Sequence, residues 1–91
     1  MATSTIKGML NCRTHYYAWD TSVSVTMSQR CHFLVFVGNS LTLCWLSGSG
    51  STYNLAVLPI VGTSGATITN NGLTVTVRLN SSNTITVVEF H

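Results

Sequence analysis

Residues 31–46 constrain this chain more than any other stretch: Cys-His-Phe-Leu-Val-Phe-Val, then Gly-Asn, then Ser-Leu-Thr-Leu-Cys-Trp-Leu. The flanks are rich in β-branched, aromatic and aliphatic residues. Gly38-Asn39 is a dipeptide suited to a two-residue hairpin loop. Such a loop fixes the register, so that Val37 faces Ser40 and Phe33 faces Cys44. One face of the hairpin then carries Cys31, Phe33, Val35, Val37, Thr42, Cys44 and Leu46. The other carries Leu34, Phe36, Leu41, Leu43 and Trp45. Both faces are apolar, whereas an antiparallel sheet with one side in water shows polar residues on that side. One domain interior covers one face, and the second face needs a cover of its own.

The rest of the chain reads as more strands of the same kind. Leu73, Val75, Val77 and Leu79 alternate with Thr74, Thr76, Arg78 and Asn80, which is the period of a half-buried strand. Asn80-Ser81-Ser82-Asn83 reads as a turn, and residues 84–90 as the returning strand. Asn70-Asn71-Gly72 suits a type I′ turn after a short strand at 66–69. Residues 52–58 form a strand that Pro59 places at an edge or a strand end. Val23, Val25 and Met27 alternate with Ser and Thr, and residues 5–12 and 15–19 add two further candidates. Helical periodicity with supporting caps is absent. The Gly/Ser run at 47–51 is a surface loop, because neither half of a 91-residue chain is long enough to bury a core alone. These signals predict one all-β domain over residues 1–91, a small antiparallel β-sandwich of jelly-roll type with seven or eight short strands.

Charged residues make up only 7% of the chain, against about 25% in an ordinary globular domain. They are Lys7, Arg13, Arg30, Arg78, Asp20 and Glu89. Four scattered cations give no basic patch, so no nucleic-acid partner is expected. The start shows no basic region followed by an apolar one, so no signal peptide is expected. The longest apolar run, 33–37, is far short of the ~20 residues of a membrane-spanning helix, so no membrane insertion is expected either.

No catalytic residues, cofactor or metal site follow from motif spacing. A zinc site could be assembled on paper from Cys31, His32, Cys44 and His15, but neighbours on a strand point to opposite faces. Cys12, Cys31 and Cys44 therefore read as free thiols buried as small hydrophobes. A hydrolase using Asp20 and Glu89 is the formal enzymatic alternative. The dense cluster His15-Tyr16-Tyr17-Ala18-Trp19-Asp20 offers another role. Tyr16, Tyr17, Trp19 and Asp20 combine aromatic faces with a hydrogen-bonding acid, the chemistry of sugar recognition, although alternating aromatics also anchor a strand to a core.

The opening Met-Ala-Thr-Ser-Thr-Ile-Lys resembles the start of many small proteins of tailed phages. The Gly/Ser/Thr/Asn-rich β pattern closing on Thr84-Ile85-Thr86-Val87-Val88-Glu89-Phe90 is similar too. The resemblance covers the opening residues and a general style. It implies a virion accessory protein of tail, fibre or capsid-decoration type: non-enzymatic, homo-oligomeric and often trimeric, located on the virion, with other virion proteins or cell-surface glycans as partners. The apolar second face of the hairpin points the same way. Leaving four or five large side chains wet forgoes on the order of 5–10 kcal/mol, comparable to a small domain's whole stability. Leu34, Phe36, Leu41, Leu43 and Trp45 are thus the expected self-association surface.

Overall fold

A computed structural model describes residues 12–62 and 65–91. The expected strand at 5–12 lies outside them except for Cys12. The fold is all-β and antiparallel throughout, with six strands among the described residues: β1 (Cys12–Thr26), β2 (His32–Val37), β3 (Ser40–Ser47), β4 (Asn54–Val61), β5 (Thr67–Asn71) and β6 (Thr74–Phe90).

Among the described residues, two expected breaks are bends rather than turns, which merges four expected strands into two. Residues 15–19 and 22–26 belong to the single 15-residue β1, which ends one residue short of the expected strand. Residues 74–80 and 84–90 belong to the single 17-residue β6. The Asn80-Ser81-Ser82-Asn83 segment has turn composition, but it carries β6 through a bend against β1. The ladder between the two strands slips on both sides of Asp20. Next to the slip, Ala18 and Trp19 together oppose Thr84, a bulge that raises local twist. The Thr84 hydroxyl donates to the Ala18 carbonyl at 3.1 Å, and its backbone N–H donates to the Asn83 side chain at 2.8 Å.

The bend divides the sheet into two halves that share β1 and β6. In the larger half the order is β1-β6-β2-β3-β4, with β6 residues 85–90 flanked by β1 residues 12–17 and by β2. In the smaller half, β6 residues 74–78 are flanked by β1 residues 22–26 and by β5. Inward side chains of both halves meet in one core: Val23, Val25, Val75 and Val77 from the smaller, Phe33, Val35, Ile85 and Val87 from the larger. The sheet is therefore folded over on itself, and the core lies between its halves. On the side away from the shared strands, β4 and β5 barely touch. A cleft of about 270 Å³, lined by Thr42, Val57, Pro59, Ala66 and Ile68, separates them.

The central hairpin has the expected register, with Val37 opposite Ser40 and Phe33 opposite Cys44. Its loop has φ +55° at Gly38 and no positive φ at Asn39, the pattern of a type II′ turn. The second two-residue loop is shifted by one residue from expectation. Asn71 pairs with Thr74, so Gly72 (φ +60°) and Leu73 form the turn, again of type II′ rather than I′. Asn70 is then a strand residue whose side-chain amide donates to the Gly72 carbonyl at 3.2 Å. Ser47 ends β3, and the rest of the 47–51 run is a surface loop, held by Arg30, which donates to the carbonyls of Gly50 (2.7 Å) and Thr52 (2.9 Å). Arg30 also sits over the Tyr53 ring at 4.1 Å, a cation–π contact. Within this loop only glycine fits at position 48, where a Cβ would lie 2.3 Å from the Thr52 carbonyl oxygen. Pro59 falls on β4, a strand at the end of the sheet order, beside a register slip between Leu41 and Thr42.

Candidate functional site

Register alone assembles the outer face of the larger half. One row across the sheet is Cys12, Phe90, His32, Trp45 and Ala56. The next is Thr14, Val88, Leu34, Leu43 and Leu58, and the third runs from Tyr16 through Thr86, Phe36 and Leu41 to Val61. Leu34, Phe36, Leu41 and Leu43 are half-buried by their neighbours on this face, and Trp45 stays 48% exposed. His32 stacks flat on Trp45, ring centroids 5.0 Å apart. A shallow groove of about 240 Å³ runs beside them, floored by Leu43, Ala56 and Leu58. These rows contain no Asp, Glu, Lys or Arg. All five residues expected to form an association surface therefore share one uncharged, apolar sheet face that the protomer's core leaves open.

Among the described residues, strand β4 extends this face to an open edge. It is almost wholly apolar, Leu-Ala-Val-Leu-Pro-Ile-Val after Asn54, yet nearly every residue is exposed. A hydrophobic edge strand of this kind is a template for pairing with another chain. Pro59, which has no N–H, and the adjacent register slip blunt its far end, while residues 54–58 keep a regular ladder to β3.

The aromatic cluster on β1 is split by the same alternation. Tyr16 and Trp19 point to solvent, 65% and 69% exposed. Tyr17 pairs with Ile85 and packs against the core from the other side. Asp20 is exposed at the register slip. The four residues do not form one platform, because a strand cannot present neighbours Tyr16 and Tyr17 to the same side.

A second cluster escaped the motif search. Glu89 is fully buried. His15 donates from Nε2 to one of its carboxylate oxygens, His91 donates from Nε2 to the other at 2.9 Å, and an Arg13 nitrogen lies 3.8 Å away. Burial pushes the Glu89 carboxyl upward, but the two imidazole hydrogen bonds and the Arg13 charge outweigh it, so its pKa ends below the ordinary value. Cys31 is buried beside it, and burial, reinforced by the Glu89 charge, lifts its thiol to about 11. Cys44 lies deeper, lifted by burial to about 12. All three thiols are free; Cys12 is exposed rather than buried, because β1 is an outer strand of the sheet and its first residue lies on the outward row. The signal for this cluster was present as phase. Glu89 and His91 continue the inward positions of Ile85 and Val87, and an acid in an apolar phase is a buried polar group needing partners. His91 is two residues away on the same phase, but His15 and Arg13 are remote in sequence, so residue spacing does not give them.

Asp20 and Glu89 are held apart. Asp20 pairs with Asn83, six residues along β6 from Glu89, a ladder distance of about 20 Å. Two-carboxylate glycoside hydrolysis needs about 5–9.5 Å, so that mechanism is removed.

Compared with protein-family models, with curated proteins and with solved structures, the chain finds no match in any of the three.

Proposed function

We propose that this chain is a non-enzymatic structural module that associates with copies of itself through the outer face of the larger half-sheet, as a virion accessory protein of the tailed-phage kind would. The carrying observation is the uncharged apolar face formed by Leu34, Phe36, Leu41, Leu43, Trp45 and Leu58. Its occupant is a second copy. A face without formal charge meets its own image without like-charge repulsion, and two such faces stack about 10 Å apart as sheets in sandwiches do. A charged partner surface would instead lose hydration against these rows with nothing to pair with. The virion location, and the trimer such proteins often form, are implied by the sequence resemblance alone; face-to-face pairing of this one surface by itself closes a dimer.

Sedimentation or light scattering on the purified chain tests the reading. Assemblies persisting at micromolar concentration are expected, and a Leu43→Glu variant that keeps its β circular dichroism should run as a monomer. A wild-type protein that is monomeric when dilute overturns the proposal.

Glycan binding is a second reading with its own support, the strong outward exposure of Tyr16 and Trp19 next to Asp20. Appendage proteins can both assemble and bind sugars, so the two readings are compatible. On a glycan array, binding by wild type should be lost in Trp19→Ala; equal binding by the two removes Trp19 from the site.

A further inference from the structure

We infer that Cys31, Glu89 and His91, with His15 beside them, form a binding site for a divalent metal of borderline softness, zinc foremost. The Cys31 Sγ, a Glu89 carboxylate oxygen and a ring nitrogen of His91 lie within 4.8 Å of one another. A point equidistant from three atoms at that spacing is about 2.8 Å from each. Reaching Zn–S and Zn–N bonds of about 2.0–2.3 Å therefore asks each ligand to close by roughly 0.5–0.8 Å, within the reach of side-chain rotation. His15 is hydrogen-bonded to the same carboxylate but lies outside the three-atom cluster, so it would serve as a fourth ligand only after its ring swings toward the metal.

His91 Nδ1 is buried with no hydrogen-bond partner, so no bond on that side of the ring opposes the rotation that would turn a ring nitrogen to the metal. Charge agrees with a cation here. A thiolate and a carboxylate neutralise a dication, and two neutral imidazoles complete the shell, so the metal would turn a buried anion into a neutral centre. On binding, the Cys31 S–H proton leaves to solvent as the S–metal bond forms, and imidazole N–H protons shared with Glu89 relocate to the outward ring nitrogens or to solvent. A single thiol, imidazoles and one carboxylate favour zinc over magnesium or calcium, which want mostly oxygen. Among the described residues, the Arg13 guanidinium is the permanent charge that opposes a cation here. It is half exposed, and its long stem allows it to withdraw to water.

The site would also do structural work. It ties the loop before β2, the first half of β1 and the end of β6 at one end of the fold.

Cobalt(II), as a spectroscopic stand-in for zinc, is the probe, titrated into the full-length, reduced, metal-free chain. Saturation at one equivalent is expected, with a thiolate-to-cobalt charge-transfer band, tetrahedral d–d absorption, displacement of cobalt by zinc, and a higher Tm with zinc. Cys31→Ser should abolish the charge-transfer band, while Cys12→Ser should keep it. His91→Ala, which lies beyond the β6 ladder and so preserves the fold, should weaken binding about tenfold or more. The site is overturned if the folded wild type shows no saturable cobalt or zinc binding. It is equally overturned if the charge-transfer band survives in Cys31→Ser or vanishes in Cys12→Ser.

Discussion

The two halves of the folded sheet share β1 and β6 and present similar inner faces, yet their outer faces differ in kind. In the smaller half the outward rows are Ser22-Arg78-Thr67, Ser24-Thr76-Thr69 and Thr26-Thr74-Asn71. The hydroxyls of Ser24 and Thr76 bond across the ladder at 2.9 Å, and those of Thr26 and Thr74 at 3.0 Å. This is a water-facing surface made mostly of hydroxyls, with Arg78 its one charge among the described residues. In the larger half, the same geometric positions hold Leu, Phe, Val and Trp. The chain therefore carries an internal control: where a face meets water, its residues are hydroxylic and polar. The apolar outer face is a departure from the chain's own practice, and low overall charge does not account for it, since both faces lack acidic residues.

The largest expected effect separates inner from outer on a single strand. Phe33 is fully buried, and Phe33→Ala should cost about 3–5 kcal/mol, a large fraction of a small domain's stability. Phe36, three residues on and facing outward, should cost the isolated protomer only about 1 kcal/mol when cut to Ala, while its main effect falls on association. Urea unfolding of both variants, paired with sedimentation, checks this. Equal losses of stability without any change in association would mean that the outer face belongs to the protomer's own packing.

Next comes a matched insertion of charge. Leu43→Glu, in the middle row of the apolar face, should weaken self-association at least about 100-fold, roughly 2.7 kcal/mol, because the carboxylate must be dehydrated against aliphatic side chains. Thr76→Glu, in the middle row of the hydroxyl face, should leave the assembly intact and move stability by less than about 1 kcal/mol. If the two substitutions have the same effect on assembly, the comparison between the halves fails.

Much of this contrast was legible in the sequence, and the reasons are local. The register of residues 31–46 follows from a two-residue loop and strict alternation, so the membership of both hairpin faces could be read off directly. The path of β6 was not legible. Asn80 to Asn83 has turn composition, and only the β1 partner, with Asp20 opposite Asn83 and Ser22 opposite Arg78, decides that the chain bends and continues. The same long-range pairing brings His15 to Glu89 across 74 positions, which no spacing rule reaches. Tyr17 shows the opposite case. Plain alternation already sent it away from Tyr16, and its inward packing follows from that period alone.

The smallest predicted effect tests whether the hydroxyl face is built or merely tolerated. Ser24 and Thr76 form an opposed pair whose side chains bond to each other in an exposed position. Cross-strand pairs of this type contribute about 0.2–1 kcal/mol relative to alanine. Ser24→Ala and Thr76→Ala should each lose a few tenths of a kcal/mol, and the double variant should lose less than the sum, because the shared bond can be lost only once. A double-mutant cycle by chemical denaturation reads the coupling. Measurable coupling makes the small face a hydrogen-bonded ladder that holds its own register in water. Zero coupling would reduce its Ser and Thr to solubility alone, leaving the two outer faces to differ in wetting but not in how they hold the strands.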